Sequence, residues 1–166
     1  LPDGTVQSYG GRWRSWLARP ISIGHGTPQG EPVDTAEIER MQSYLNGASM
    51  LIGRKFLQTV GPMRADYFLY CEEVDWCLRG RKAGMRLGFA PKSVVLHHQG
   101  TSTGNERDIR RKARAPVYLN ERNKMVMSRD LYPARFPVSA LMAFLQIFMR
   151  FARRGAWAQV GYALDG

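Results

Sequence analysis

The apolar positions along this chain change their spacing several times, and each change marks an element. From Glu72 to Ala83 they recur at Val74, Cys77 and Leu78, one face of a helix, with Gly84 standing where that helix would stop. Pro116 to Leu131 and Pro137 to Arg154 also suit helices, each with a proline near its first turn. Lys55 to Val60 reads as a short helix ended by Gly61-Pro62, and Asp34 to Tyr44, with Glu37 and Glu39, predicts a helical turn. Ala48 to Ile52 is a short apolar run after Asn46-Gly47 and reads as a buried strand. Arg86 to Ala90 and Ser93 to His97 read as two further strands parted by Pro91-Lys92. Residues 1–33 show no sustained period, and Tyr9, Trp13 and Trp16 predict an ordered loop region. No internal repeat is present.

Length and composition narrow the class. The 166 residues suffice for one substantial core, and 44% apolar with 23% charged residues is ordinary globular composition. Cys71 and Cys77 are too few for a disulfide scaffold and lack zinc-site spacing, so they read as packing residues. The strongly apolar stretch Val138 to Met149 is 12 residues, short of the roughly 18–20 that a membrane-spanning helix needs. The formal net charge of +10 predicts attraction to polyanions: nucleic acid, anionic lipid or phosphorylated substrates. The chain opens on Leu1 without a signal-peptide pattern and reads as an excerpt of a longer protein.

Three places could carry chemistry. Glu72, Glu73 and Asp75 fall within four residues at a helix start, where the macrodipole favours negative charge. Their mutual repulsion raises the pKa of at least one and suits it to accept a proton near neutral pH. The same residues also allow a purely structural acidic turn, with Asp75 paired to Arg79 at i,i+4. His97 and His98 end a predicted strand on opposite faces, so one metal ion would not take both, and Gly100 to Gly104 follows as a flexible, hydroxyl-rich loop. Arg107, Arg110, Arg111, Lys112 and Arg114 form a basic run, either a solvated face or a diphosphate contact.

The order of these segments is more specific than any one of them. The run NGASMLIGR over residues 46–54, Val60-Gly61, FLYCEEVDWCLR over 68–79, Ala83-Gly84, Ala90-Pro91, and His97 with Ser102-Thr103-Gly104 together resemble a family-2 glycosyltransferase of the rhamnosyltransferase-like kind. The likeness runs from about Asp3 to Arg129. It implies an α/β fold: part of a GT-A, Rossmann-like mixed sheet flanked by helices over residues 1–131, with an amphipathic helical extension over 132–166.

The implied reaction is inverting transfer of a sugar from a nucleotide-diphosphate donor, dTDP-rhamnose among the candidates, to a hydroxyl of a glycan or lipid-linked acceptor. Glu73 would be the base, with Glu72 the alternative and Asp75 beside them; Asn46, Gly47 and Trp76 would lie near the acceptor. Ser102, Thr103, Arg122 and Asn123 would meet the donor diphosphate, and His97, or failing it His98, would bind a divalent metal, Mg²⁺ or Mn²⁺. The family's Asp-x-Asp motif is absent, so the chain resembles the acceptor and base portion, and these 166 residues are expected not to turn over alone. The implied location is the cytoplasm, at the inner face of the membrane. There Leu141, Phe144, Leu145, Phe148 and Phe151, beside Arg150, Arg153 and Arg154, would either make a peripheral contact or pack inward.

Two rivals remain at this level. A nucleic-acid-binding basic module would leave the acidic cluster unexplained, and no nucleic acid partner is expected. A metal-dependent hydrolase lacks a recognisable ligand spacing.

Overall fold

The computed structural model describes residue 1, residues 3–97 and residues 108–166, and among these described residues it has six α-helices, four single 3-10 turns and one two-stranded hairpin. Helix α1, Thr35–Met41, opens on Asp34, whose carboxylate accepts from the backbone N–H of Glu37 at 3.0 Å. Helix α2, Arg54–Val60, ends at Gly61 in a positive-φ conformation. Helix α3, Glu72–Lys82, closes as a Schellman turn: the Met85 N–H donates to the Gly80 carbonyl at 2.9 Å and Gly84 to Arg81 at 3.0 Å, with Gly84 at φ 78°. Helices α4, Arg114–Leu131, α5, Phe136–Arg150, and α6, Trp157–Leu164, follow. The four helices read from the sequence are present, the helical turn expected over Asp34 to Tyr44 is the two-turn α1, and α6 is additional.

The elements form two units. The first comprises Leu1–Trp13, Pro20–Arg64 and Glu72–His97, and buries Ile38, Phe56, Val74, Trp76, Cys77 and Leu78. Within it the edge of Phe56 meets Trp76 at 5.2 Å between ring centroids, and Gly80 lets α3 lie against the Phe56 ring. The second comprises Arg14–Arg19, Ala65–Cys71 and the described residues from 108 on. Its core is Val117, Ile147, Phe151, Ala156, Val160 and Ala163, from α4, α5, α6 and the turns between them.

The expected mixed sheet is not seen among the described residues; their sheet has two strands, β1 (Gly11–Arg14) and β2 (Arg19–Ser22), in the region read as loop. Its tip is held within the second unit: Gln146 Nε2 donates to the Leu17 carbonyl at 2.7 Å, and Arg135 donates to Ser15 Oγ at 2.6 Å while covering the Trp16 ring. Ala48–Ile52 is not a buried strand, because Leu51 is 97% exposed. Residues 86–90 are not a strand either. Gln42 Nε2 donates to the Leu87 carbonyl and Glu39 Oε1 accepts from the Phe89 N–H, both at 3.0 Å, so side chains occupy places a neighbouring strand would take. Residues 93–97 lack strand pairing, with Val94, Val95 and Leu96 exposed.

The apolar stretch near the C-terminus also exceeds its 12-residue estimate. The helical run Pro133–Arg154 covers 22 residues, long and apolar enough to cross a membrane by length and composition alone, and most of it is not buried. The single α5 stripe read from sequence divides: Phe151 is buried and Phe148 packs on the core, while Leu141, Phe144 and Leu145 are exposed.

Candidate active site

The acidic cluster occupies the first turn of α3, as its spacing predicts, and its three carboxylates divide in role. Asp75 is fully buried and accepts from Arg79 Nε at 2.7 Å; the same guanidinium donates to the carbonyls of Val60 and Pro62 at 2.8 and 3.0 Å. This is the i,i+4 pair that the spacing allowed, and it ties α3 to the end of α2. Trp76 is buried, with its indole N–H donating to the Gly61 carbonyl at 2.8 Å, so it serves the core at this position.

Glu72 and Glu73 differ from Asp75. Each carries a buried carboxylate oxygen, Oε2, with no hydrogen-bond partner among the described residues. Burial pushes the Glu73 carboxyl above its ordinary value, the neighbouring Glu72 charge adds to this, and the backbone N–H groups of Glu73 and Val74 oppose it. Such a carboxylate holds a proton more readily than one in water and therefore makes a stronger base.

Gly47 faces this side chain: a Cβ placed on it would lie 3.5 Å from Glu73 Cγ. The adjacent Asn46 turns the chain there, its Oδ1 accepting from the Ala48 N–H at 3.0 Å. The structure thus brings Gly47, expected near the acceptor, to Glu73, expected as the base. One turn further along α3, Cys77 accepts from the Leu45 N–H at 3.4 Å, and burial pushes its thiol up to about 11, in keeping with a packing residue.

His97 is exposed, with Nδ1 3.3 Å from Gln7 Nε2, and the Gln7 carbonyl lies 3.1 Å from His25 Nδ1. Among the described residues no three His, Cys, Asp or Glu side chains converge around His97. His98, Gly100, Ser102, Thr103, Gly104 and Arg107 lie outside the described residues.

Several residues of the rest of the basic run have partners within their unit. Arg110 lies 3.6 Å from Asp108, Arg114 lies 3.0 Å from Asp165, and Gln159 Nε2 donates to the Arg110 and Lys112 carbonyls. Arg122 and Asn123 have a task the sequence did not disclose. Asn123 is fully buried in α4, and its amide nitrogen lies within 2.9 Å of three carbonyls, those of Tyr67, Leu69 and Tyr70. Arg122 donates to Asn123 Oδ1 at 2.8 Å and to the Asp66 carbonyl at 3.0 Å. The segment they hold has Phe68, Tyr70 and Cys71 at φ 60°, 69° and 68°. No glycine or asparagine in that segment signals this conformation, so residue types alone do not reveal it.

The chain is similar in sequence to sugar transferases, as its motifs imply. It is 38% identical, over 91 residues, to an N-acetylglucosaminyl-diphospho-decaprenol L-rhamnosyltransferase of Mycobacterium tuberculosis; the match covers 55% of this chain and 28% of that protein. Over 67 residues it is 30% identical to the rhamnosyltransferase WbbL of Escherichia coli, covering 40% of this chain and 25% of that one. Over 89 residues it is 24% identical to the low-salt glycan biosynthesis hexosyltransferase Agl10 of Haloferax volcanii, covering 54% and 27%. The chain thus matches about a quarter of the length of these curated relatives. No protein-family model and no solved structure matches it.

Proposed function

We propose that these residues supply the acceptor side and the base of an inverting glycosyltransferase of GT-A type, with a nucleotide-diphosphate sugar as donor. Glu73 carries this reading: a carboxylate with a buried, unpartnered oxygen and a raised pKa, at a helix start beside Gly47. Glu73 takes the proton of an acceptor hydroxyl. The hydroxyl oxygen bonds to the anomeric carbon from the face opposite the leaving group, the bond from that carbon to the diphosphate breaks, and the nucleoside diphosphate departs.

The relatives' names favour a deoxyhexose or hexose as the transferred sugar, and the mycobacterial name favours a polyprenyl-diphosphate-linked acceptor. Work on such an acceptor places the protein at the cytoplasmic face of a membrane.

The test is Glu73→Gln in the complete gene product, assayed for transfer from dTDP-rhamnose and for binding of that donor. Loss of a general base lowers kcat by about 10²–10⁴-fold, with donor binding retained. Full transfer by the variant would remove Glu73 from this role.

A further inference from the structure

The hairpin tip, Arg14–Arg19, lies in the second unit, and that unit holds it more firmly than a turn needs. The Leu17 N–H donates to the Arg14 carbonyl at 2.9 Å, and Ala18 is fully buried at φ 44°. Arg135 donates to Ser15 Oγ at 2.6 Å, with its guanidinium carbon 5.1 Å from the Trp16 ring centre and 5.6 Å from that of Tyr132. Gln146 Nε2, in α5, donates to the Leu17 carbonyl at 2.7 Å. Yet the two large apolar side chains of the tip face outward, Trp16 52% and Leu17 38% exposed. Anchored apolar groups left in water mark a contact surface, and because this tip is already ordered, docking it sacrifices little conformational freedom.

The chemistry around the tip selects the partner. Gln146, which also donates to the Met142 carbonyl, shares with Met142 a stripe of α5 that borders the exposed one of Val138, Leu141, Leu145 and Met149. The tip therefore sits beside that apolar stripe. Arg14 and Arg19 are exposed at its two ends, and no acidic residue lies between them or anywhere from Tyr132 to Leu164. Over the described residues of this unit, 13 basic side chains stand against 5 acidic ones, a net +8 of the chain's +10. An apolar patch rimmed by cations, without carboxylates, complements an anionic lipid surface, where an indole suits the boundary between headgroups and acyl chains.

We propose that the hairpin tip is a membrane anchor: Trp16 and Leu17 enter the headgroup layer of an anionic bilayer, Arg14 and Arg19 meet lipid phosphates, and Arg135 with Gln146 keeps the tip seated on α5. The tip takes no part in proton transfer. Its test reads lipid contact and not transfer, so its failure leaves the assignment of Glu73 untouched, and the failure of that assignment leaves the anchor standing.

The experiment uses the complete gene product with vesicles of phosphatidylglycerol and phosphatidylcholine, and with vesicles of phosphatidylcholine alone. Each is prepared with and without brominated acyl chains, which quench tryptophan at short range. Trp16→Phe keeps an aromatic ring at the tip and removes the indole, whereas Trp16→Ser with Leu17→Ser removes the apolar tip. The native protein should bind the anionic vesicles and lose emission to the brominated lipid. Trp16→Phe should bind within about twofold of native, with the quenched share of emission reduced. The double variant should bind about tenfold more weakly, and neutral vesicles should bind the native protein more weakly than anionic ones by about tenfold or more.

Quenching that is unchanged in Trp16→Phe overturns the proposal, since the quenched indole then lies elsewhere. Undiminished binding by the double variant, or equal affinity for neutral vesicles, overturns it as well. Emission that shifts with protein concentration in the absence of lipid, without quenching by vesicles, would assign the tip to a contact between copies of the chain and overturn the anchor. Trp16 and Leu17 are outside the core, so native and variant proteins should share an unfolding midpoint; if the double variant does not fold, the quenching in Trp16→Phe decides alone.

Discussion

Glu73 sits where two influences oppose each other. The helix start and its backbone N–H groups favour the charged form, while burial and the Glu72 charge favour the protonated one, and the second pair prevails. The folded protein therefore binds this proton more tightly than the unfolded chain. The stability this group contributes is fully present below the ordinary glutamate value, about 4.3, and is lost as pH rises through the raised folded value. Glu73→Gln removes that dependence. In urea unfolding at a series of pH values, the variant should gain on the native sequence as pH rises above about 4.3 and then level off. A gap independent of pH would contradict the raised value. Cys77 offers a second check at the same scale. With its thiol pushed up to about 11 and buried, native protein should leave Cys77 unlabelled by iodoacetamide at neutral pH, whereas unfolding exposes it.

Between elements, the α2–α3 contact turns on the absence of a side chain at Gly80. A Cβ there would lie 2.2 Å from the Phe56 ring, which is itself buried and set edge-on to Trp76. Gly80→Ala gains about 1 kcal/mol of helix propensity but overpacks a ring with little room to move, at about 1–3 kcal/mol. Net destabilisation of up to about 2 kcal/mol is expected, and thermal or urea unfolding measures it. In a Phe56→Leu background the clash is gone and Gly80→Ala should become neutral or stabilising.

The helix that carries Gly80 was legible in the sequence because Val74, Cys77 and Leu78 share one face and Gly84 ends it. The strands were not, for a physical reason: a short apolar run reports burial or exposure only through its neighbours. Ala48–Ile52 has the composition of a strand, yet Leu51 faces solvent, and residues 86–90 spend ladder positions on Gln42 and Glu39. Conversely, β2 carries Pro20 and buries none of its residues, so no alternation announces it. The acidic pair and Gly47 were readable as a motif, whereas, in the other unit, the hold of Asn123 on the Tyr67, Leu69 and Tyr70 carbonyls depends on carbonyl directions that no residue type encodes.

At the scale of the whole molecule, the +10 charge has to be weighed against where apolar surface remains uncovered. On α5, Val138, Leu141, Phe144, Leu145 and Met149 are exposed at helical spacing, while Ser139, Ala143 and Ile147 are buried on the opposite side. Arg153 and Arg154 are exposed just beyond the helix end, and Trp157, 65% exposed, follows. An apolar stripe with basic residues at its end is the pattern of a helix lying in the interface of an anionic membrane. Each cation near such a surface adds about 1 kcal/mol, which salt screens, whereas the apolar contribution persists. The protein should therefore float with anionic vesicles at low salt and less so at about 0.5 M, where the Debye length falls well below 10 Å. Leu141→Glu with Leu145→Glu should abolish flotation in both salts, because those positions lie in the middle of the stripe. Retention on vesicles through an alkaline carbonate wash would instead assign the 22-residue run Pro133–Arg154 an inserted position, and failure to float at low salt would leave the stripe a protein-facing surface. A peripheral contact requires the intermediate outcome, binding that both salt and the double substitution reverse.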